Sequence, residues 1–144
     1  MEKHLQALRE GIRRWRAQNI GDYWLAVSYI GAAVNRFGDH DLTYVNGQLW
    51  HLWQGEWRLI QRSSDYWLFA VPITFAWARD LLTKVLPAVG ADADAIELDF
   101  DKEYGYIRFM RVRLPERDAH NFTFEVRRFG LGQHPQFEGD GDGD

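Results

Sequence analysis

Apolar residues recur at two periods along this chain, and the two periods separate predicted helices from predicted strands. Over 3–19 an apolar residue falls every three or four positions, with arginines largely on the other side, which predicts an amphipathic helix. A second stripe with the same period lies between Thr74, a candidate N-cap, and Gly90, a candidate helix end. Most of the other apolar residues alternate with period two, which is typical of strands.

Predicted strands precede and follow the second helix. Asn46-Gly47 joins two alternating runs and predicts a type I′ hairpin turn, because both central residues of that turn need positive φ. Residues 35–41 have the composition of a loop. Short connections favour antiparallel pairing, since parallel strands need long crossovers. The predicted strands span 23–32, 42–45, 48–53, 57–61, 95–101, 106–114 and 121–129, with an optional short strand at 66–71.

These elements predict an α+β fold, with two helices packed on one face of an antiparallel sheet in the order α-β-β-β-(β)-α-β-β-β. A chain of 144 residues, 46% of them hydrophobic, matches the size and composition of one domain. We therefore expect a single domain over 1–137. Residues 138–144 alternate glycine with acidic residues and predict a disordered tail.

Aromatic residues are the most unusual part of the composition, with 7 Trp, 6 Tyr and 9 Phe. Alternation over 23–61 places apolar side chains on both faces of the first group of strands, and the helices are expected to cover one face. The second face is then available to a small apolar ligand or a partner protein, as exposed apolar patches often are. The alternative is that strand curl or the neighbouring helix covers both faces. The predicted binding residues are Trp24, Trp50, Trp53, Trp57 and His51.

Charge and cysteine content argue against several classes of function. The formal net charge is −4, and the tail carries four of the 21 acidic residues, so residues 1–137 hold 17 acidic and 17 basic groups. A neutral body argues against nucleic-acid binding, which needs an excess of Lys and Arg. The absence of cysteine removes disulfides, thiolate zinc sites and cysteine nucleophiles.

Hydropathy gives an expectation for cellular location. No apolar run approaches about 18 residues, so we expect no membrane span. The residues after Met1 form an amphipathic pattern without an apolar segment, so we expect no signal peptide. The sequence as written therefore predicts a cytoplasmic protein.

The five histidines are scattered, without paired spacing. An enzyme of unrecognised type would use His40 or His51 with nearby carboxylates, for which Asp39 and Asp41 are the neighbours in sequence. Self-association through exposed strands, giving a homodimer, is a further alternative. We favour a non-catalytic binding domain over both, because residues 23–61 place apolar side chains on both faces and we recognise no catalytic motif.

One acidic run begins like a calcium-binding loop. Asp99, Asp101 and Glu103 have the right spacing, but Tyr104 and Met110 stand where such a loop needs Gly and Glu. A hairpin turn explains the run better. We expect no metal and no cofactor.

Four segments, by their order and spacing, point to one family. They are Trp15 with Asn19–Tyr23, Leu42–Leu49, Thr74-Phe75 with Leu81-Leu82, and Ile96–Tyr106. In these segments the chain resembles the bacterial domain of unknown function 6174. The resemblance implies a small α+β domain without established activity, often in secreted or lipoprotein-like proteins, and hence an exported origin. This chain departs from the family in lacking cysteines after the first strand and in having Ile107 where a proline often stands.

Overall fold

Seven strands form one antiparallel sheet in the computed structural model, which describes residues 1–31, 38–60, 69–115 and 121–137. In chain order the strands are β1 (Tyr23–Gly31), β2 (Gly38–Val45), β3 (Gln48–Trp53), β4 (Glu56–Ile60), β5 (Ile96–Phe100), β6 (Ile107–Val112) and β7 (Phe122–Leu131). Their order across the sheet is β4-β3-β2-β1-β7-β6-β5. Two meanders, β1–β4 and β5–β7, therefore join where β1 pairs with β7.

The helices lie before each meander, as the apolar spacing predicts. Helix α1 spans Glu2–Ala17, and α2 spans Val71–Asp80. From α2 the chain continues through a π-helical turn, Leu81–Val85, and a last helical turn, Leu86–Ala88. The predicted α+β class, with an antiparallel sheet and two helices, is confirmed.

The turn chemistry of the first meander follows the sequence closely. Asn46 and Gly47 have φ values of 54° and 78°, as a type I′ turn requires. Gln54 and Gly55 repeat the pattern between β3 and β4, with φ values of 52° and 82°. These two tight turns fix the register of β2, β3 and β4, so they decide which side chains share a face.

Two local predictions are wrong. Helix α2 begins at Val71 with Ala70 as its N-cap, and the Thr74 hydroxyl donates to the Val71 carbonyl at 2.8 Å instead of capping. The predicted loop at 35–41 is a strand from Gly38 onwards, because pairing with β1 satisfies its backbone despite the polar composition.

Other predictions lie partly or wholly outside the described residues. Of the optional strand at 66–71, only Phe69, Ala70 and Val71 are described. None of the three is in a strand: Ala70 is the N-cap of α2 and Val71 is its first residue, so the prediction is wrong for this part. The acidic tail, 138–144, is outside the described residues altogether.

The core lies between the helices and one side of the sheet, which we call the inner face. Leu25, Leu42, Phe124 and Met110 project from neighbouring strands into this core, and each is at most 1% exposed. Helix α1 approaches closely where Gly11 lies over the ring of Phe100. The opposite side of the sheet, the outer face, carries the remaining side chains of the strands.

Candidate functional site

Three of the five predicted binding residues meet on the outer face. Pairing aligns Trp24 of β1 with Thr43 of β2, and Thr43 with Trp50 of β3. Trp57 of β4 projects from the same face, because it pairs with Leu52, two residues after Trp50. The three indoles are partly buried. The structure thus brings together tryptophans that are up to 33 positions apart in the sequence.

The other two predicted residues lie on the inner face. His51 is 2% exposed and pairs across β2 and β3 with Leu42, a core residue. Trp53 follows two positions later on the same side and is 38% exposed, with its ring centroid 6.1 Å from that of His51. His51 and Trp53 therefore cannot share one contact surface with the three outer indoles.

The chain's own C-terminal residues cross the outer face. We call Gly132–Phe137 the strap. It leaves the end of β7 through Gly132, whose N–H donates to the Asp22 carbonyl at 3.0 Å. The His134 N–H then donates to the Thr43 hydroxyl at 3.0 Å. Hydrogen bonds to Asp22, which precedes β1, and to Thr43 of β2 thus fix the path of the strap across these two strands.

His134 is the first anchor of the strap and is only 3% exposed. Its ring centroid lies 4.8 Å from that of Trp24 and 5.1 Å from that of Trp57. Nδ1 accepts a hydrogen bond from the Gln136 N–H at 3.0 Å, so the neutral ring carries its proton on Nε2. Within the described part of the chain, that buried Nε2 has no hydrogen-bond partner. Its nearest acidic neighbour is Asp41, whose Oδ2 is 3.9 Å away.

Burial sets the charge state of His134. Removal of the ring from water lowers the pKa of His134, and Arg128 acts in the same direction. The Asp41 carboxylate opposes both, but burial is the larger effect. The neutral imidazole is therefore favoured while the strap is docked.

Phe137 is the second anchor and is 6% exposed. Its ring centroid is 5.4 Å from both Trp50 and Trp57, and it meets Trp57 edge to face. Trp57 also donates from Nε1 to the Gln136 carbonyl at 3.0 Å. The strap therefore touches all three outer indoles through two side chains placed three residues apart.

A glycine makes room for Trp24. Gly130 of β7 pairs with Trp24, and a Cβ on Gly130 would lie 2.8 Å from Cζ2 of the indole. Arg128 lies over the same indole, with its guanidinium carbon 5.5 Å from the ring centroid. The indole can occupy this place beside β7 only because residue 130 has no side chain.

Docking of the strap is a close balance of free energies. Ordering its six residues costs roughly 1–2 kcal/mol each in backbone entropy. Burial of the Phe137 ring contributes about 1.5–3 kcal/mol, and each aromatic pair adds about 0.5–1.5 kcal/mol. Each hydrogen bond to the sheet contributes about 0.5–1.5 kcal/mol. The two sides are of similar size, so the strap is held weakly compared with the strands beneath it.

A second histidine cluster lies inside the protein. Nδ1 of His40 and Nε2 of His51 are 3.2 Å apart on the inner face, and Phe69 stacks on His40. Burial, then His40 and Arg58, lowers the pKa of His51 to about 4. His51 is therefore neutral at physiological pH.

The carboxylates predicted to serve His40 are placed elsewhere. Asp41 follows His40 on β2, so its side chain projects to the outer face, close to His134. Asp39 is exposed. The structure therefore brings His40 and His51 together. The histidine close to Asp41 is instead His134, which was not among the residues predicted from the sequence.

The acidic run after β5 forms a turn, as predicted. Oδ2 of Asp101 accepts hydrogen bonds from the N–H groups of Glu103 and Tyr104 at 3.0 and 2.8 Å, and Asp99 forms an ion pair with Arg108. Across the four described ranges, no group of three or more His, Asp or Glu residues is arranged to hold a metal ion.

Sequence reasoning missed the strap. His134 and Phe137 belong to a short stretch rich in Gly, Gln and Pro, without any periodicity that marks burial. One available signal was that Phe137 is the last apolar residue in the chain and is followed only by glycine and acidic residues.

Comparisons add no relative from which a function could be transferred. No family model, no curated protein and no solved structure matches this chain. The resemblance to domain of unknown function 6174 therefore stays a prediction. Among the described residues, no helix is both long and apolar enough to cross a membrane.

Proposed function

We propose that this protein is a non-catalytic binding domain whose contact surface is the outer face formed by Trp24, Trp50 and Trp57. The observation that carries the proposal is the convergence of three partly buried indoles on the side of the sheet opposite the core. Tryptophan is enriched at interaction surfaces because it offers a large apolar area and one hydrogen-bond donor.

Polar groups within the indole cluster support recognition of a ligand as well as burial. The Thr43 hydroxyl accepts a backbone N–H, and Trp57 Nε1 donates to a backbone carbonyl. Binding sites combine apolar walls with a few placed polar groups in this way. A small apolar ligand or a segment of a partner protein would use the same groups.

An enzyme centred on His40 and His51 has weaker support. The two rings are 6% and 2% exposed, and Phe69 stacks on one of them, so a substrate would need access to the core. The carboxylate of Asp41 belongs to the other face of the sheet. One observation supports self-association. The sheet is open, with β4 and β5 as its edges, and an edge strand can pair with a strand of a second copy.

Chemical-shift mapping of the indole N–H resonances tests the proposal. The probe is 1-anilinonaphthalene-8-sulfonate, a dye with an apolar aromatic body and one sulfonate group, added to the full chain. We expect the indole signals of Trp24 and Trp50 to shift with a common dissociation constant, while that of Trp53, on the inner face, stays in place. Shifts confined to Trp53, or no indole shift at all, would contradict the proposal.

Matched variants separate binding from folding. Trp50→Ala should weaken dye binding by about tenfold, a change expected for loss of one aromatic contact, with only a small change in melting temperature. Trp53→Ala serves as the control and should leave the affinity unchanged. If Trp50→Ala unfolds the protein instead, Trp50 belongs to the folding core and not to a binding surface.

A further inference from the structure

The strap occupies the outer face through two side chains and two backbone groups. Resting on the proposed function, we propose that the ligand is an extended peptide segment of a partner protein, with a planar N–H-bearing side chain and an aromatic ring three residues later. The strap, with His134 and Phe137 at this spacing, is an occupant of the same chain that the partner segment displaces.

The first subsite lies between Trp24 and Trp57 and is closed by Asp41. His134 of the strap occupies this subsite, and its buried Nε2 lies 3.9 Å from Oδ2 of Asp41. The donor is buried while the Asp41 side chain is 31% exposed. A buried donor that stops short of such an acceptor marks an incomplete fit, because a buried polar atom without a partner is unfavourable. A peptide whose side-chain N–H reaches Asp41 would complete the hydrogen bond that the strap leaves unmade.

The second subsite is formed by Trp50 and Trp57. Phe137 of the strap occupies this subsite, and its ring centroid lies 5.4 Å from the centroid of each indole. Edge-to-face contacts of this kind favour an aromatic ring over an aliphatic chain. The two subsites share Trp57, which fixes the separation of the two anchoring side chains at three residues.

Contacts to the backbone identify the ligand as a peptide. Between the anchors, the Thr43 hydroxyl accepts the N–H of residue 134, and Trp57 Nε1 donates to the carbonyl of residue 136. Both groups recognise main-chain atoms that every peptide carries, whereas the two subsites recognise side chains. A sugar or a lipid has no such pair of amide groups at this spacing.

The way the strap is attached favours exchange. Its side chains other than the two anchors, Gln133, Pro135 and Gln136, are exposed. It joins the sheet through Gly132, whose φ of +80° lies in the left-handed region, and residues 138–144 are all glycine or acidic. Release of the strap therefore disturbs neither the hydrogen bonds of the sheet nor the core on the inner face.

Fluorescence anisotropy on the full-length chain tests the proposal. The probe is a labelled peptide with the protein's own sequence from 130 to 144, and the matched control peptide has Ala at the position of Phe137. We expect the Phe137→Ala protein to bind the probe about tenfold more tightly than the wild type, since it lacks one anchor of the competing strap. The control peptide should bind about tenfold more weakly than the probe.

Equal binding of the two peptides, or no gain in affinity on Phe137→Ala, would overturn the proposal. If dye mapping still succeeds in either case, the binding face stands and only the peptide assignment fails.

Should Phe137→Ala not fold, hydrogen exchange on the wild type replaces it. Excess probe should then speed exchange at the His134 and Phe137 amides, and unchanged rates would contradict displacement. A wild-type dimer with exchanged straps would assign the face to a second copy and overturn the partner peptide.

Discussion

Trp57 and Gln136 join the edge strand β4 to the strap: the indole Nε1 of Trp57 donates to the carbonyl oxygen of Gln136 at 3.0 Å. The two residues are 79 positions apart, and Trp57 lies on the edge strand β4 while Gln136 belongs to the strap. This is the one hydrogen bond between the strap and β4 among the described residues. It ties the C-terminal segment to the strand farthest from β7 in the first meander.

Replacement of Trp57 by Phe should loosen the strap. Phe keeps a ring beside His134 and Phe137 but loses the donor, so we expect the strap to lose about 0.5–1.5 kcal/mol of docking free energy. Hydrogen exchange measures this as faster exchange of the His134 and Phe137 amides. Trp53→Phe on the inner face is the control and should leave these amides unchanged. Equal acceleration in both variants would mean that the bond contributes nothing specific.

A second prediction concerns the contact between α1 and the β5–β6 hairpin. A Cβ on Gly11 would lie 2.6 Å from Cδ2 of Phe100 and 2.7 Å from the carbonyl oxygen of Gly105. Ala has a higher helix propensity than Gly by about 1 kcal/mol, but overpacking costs about 1–3 kcal/mol, and here one neighbour is backbone that cannot rotate away. We therefore expect Gly11→Ala to destabilise the protein, as measured by urea unfolding.

Gly21 provides the matched control for Gly11. Nothing lies within 4 Å of a Cβ placed on Gly21, and its φ is not positive. Gly21→Ala should therefore be neutral or slightly stabilising, through the smaller entropy of the unfolded chain. If both alanine variants unfold at the wild-type urea concentration, α1 can shift to accommodate a methyl group and the close approach is not essential.

Local signals in the sequence were sufficient for the fold because each acts within one element or turn. The helical stripe ending near Trp15 and the Asn46-Gly47 turn depend on neighbours a few positions away, and both are confirmed. The prediction of a loop around Gly38 was wrong because it used local composition only. The strand that begins at Gly38 forms because β1 offers a pairing edge, which is a tertiary effect. The prediction of Thr74 as the N-cap was wrong because Pro72 suits the first helical turn, so α2 begins at Val71.

The candidate site could be predicted only in part. Alternation placed Trp24 and Trp50 on defined faces of their strands, but it could not say which face of each strand meets the helices. In the structure the face of β3 that carries His51 meets the core, so His51 is not on the outer face. The strap was unpredictable for a different reason, since six residues held by two side chains have no period, and their docking depends on a surface assembled from distant strands.

A third prediction follows from the buried histidine pair. His51 has a pKa of about 4 in the folded protein, against about 6.5 in the unfolded chain, because burial, His40 and Arg58 disfavour its charged form. Above pH 6.5 both states are neutral and the full stability is present. As the pH falls from 6.5 to 4, only the unfolded chain binds the proton, so the free energy of unfolding should decrease by roughly 3 kcal/mol.

Urea unfolding at pH 7.5, 6.0 and 4.5 measures this effect. Carboxylates also titrate near the lower end, so the useful quantity is the difference in pH dependence between the wild type and His51→Gln. We expect the variant to be less stable at pH 7.5 but to lose less stability on acidification. Parallel curves for the two proteins would show that His51 keeps an ordinary pKa in the folded state.

A fourth prediction concerns the space beneath Trp24. Gly130 lies within β7, where Ala is ordinarily favoured over Gly by about 0.5–1 kcal/mol. A methyl group at residue 130 would collide with the indole ring, which covers that position. We therefore expect Gly130→Ala to destabilise the protein by about 1–3 kcal/mol, and to shift the Trp24 indole N–H resonance.

A double-mutant cycle isolates the collision from other effects of the methyl group. In a Trp24→Ala background the space above residue 130 is open, so Gly130→Ala should become neutral or stabilising. The two substitutions should therefore be coupled by about 1–3 kcal/mol, as contacting residues are. Additive effects would mean that the indole can move aside without loss. In that case Gly130 does not position Trp24 in the first subsite.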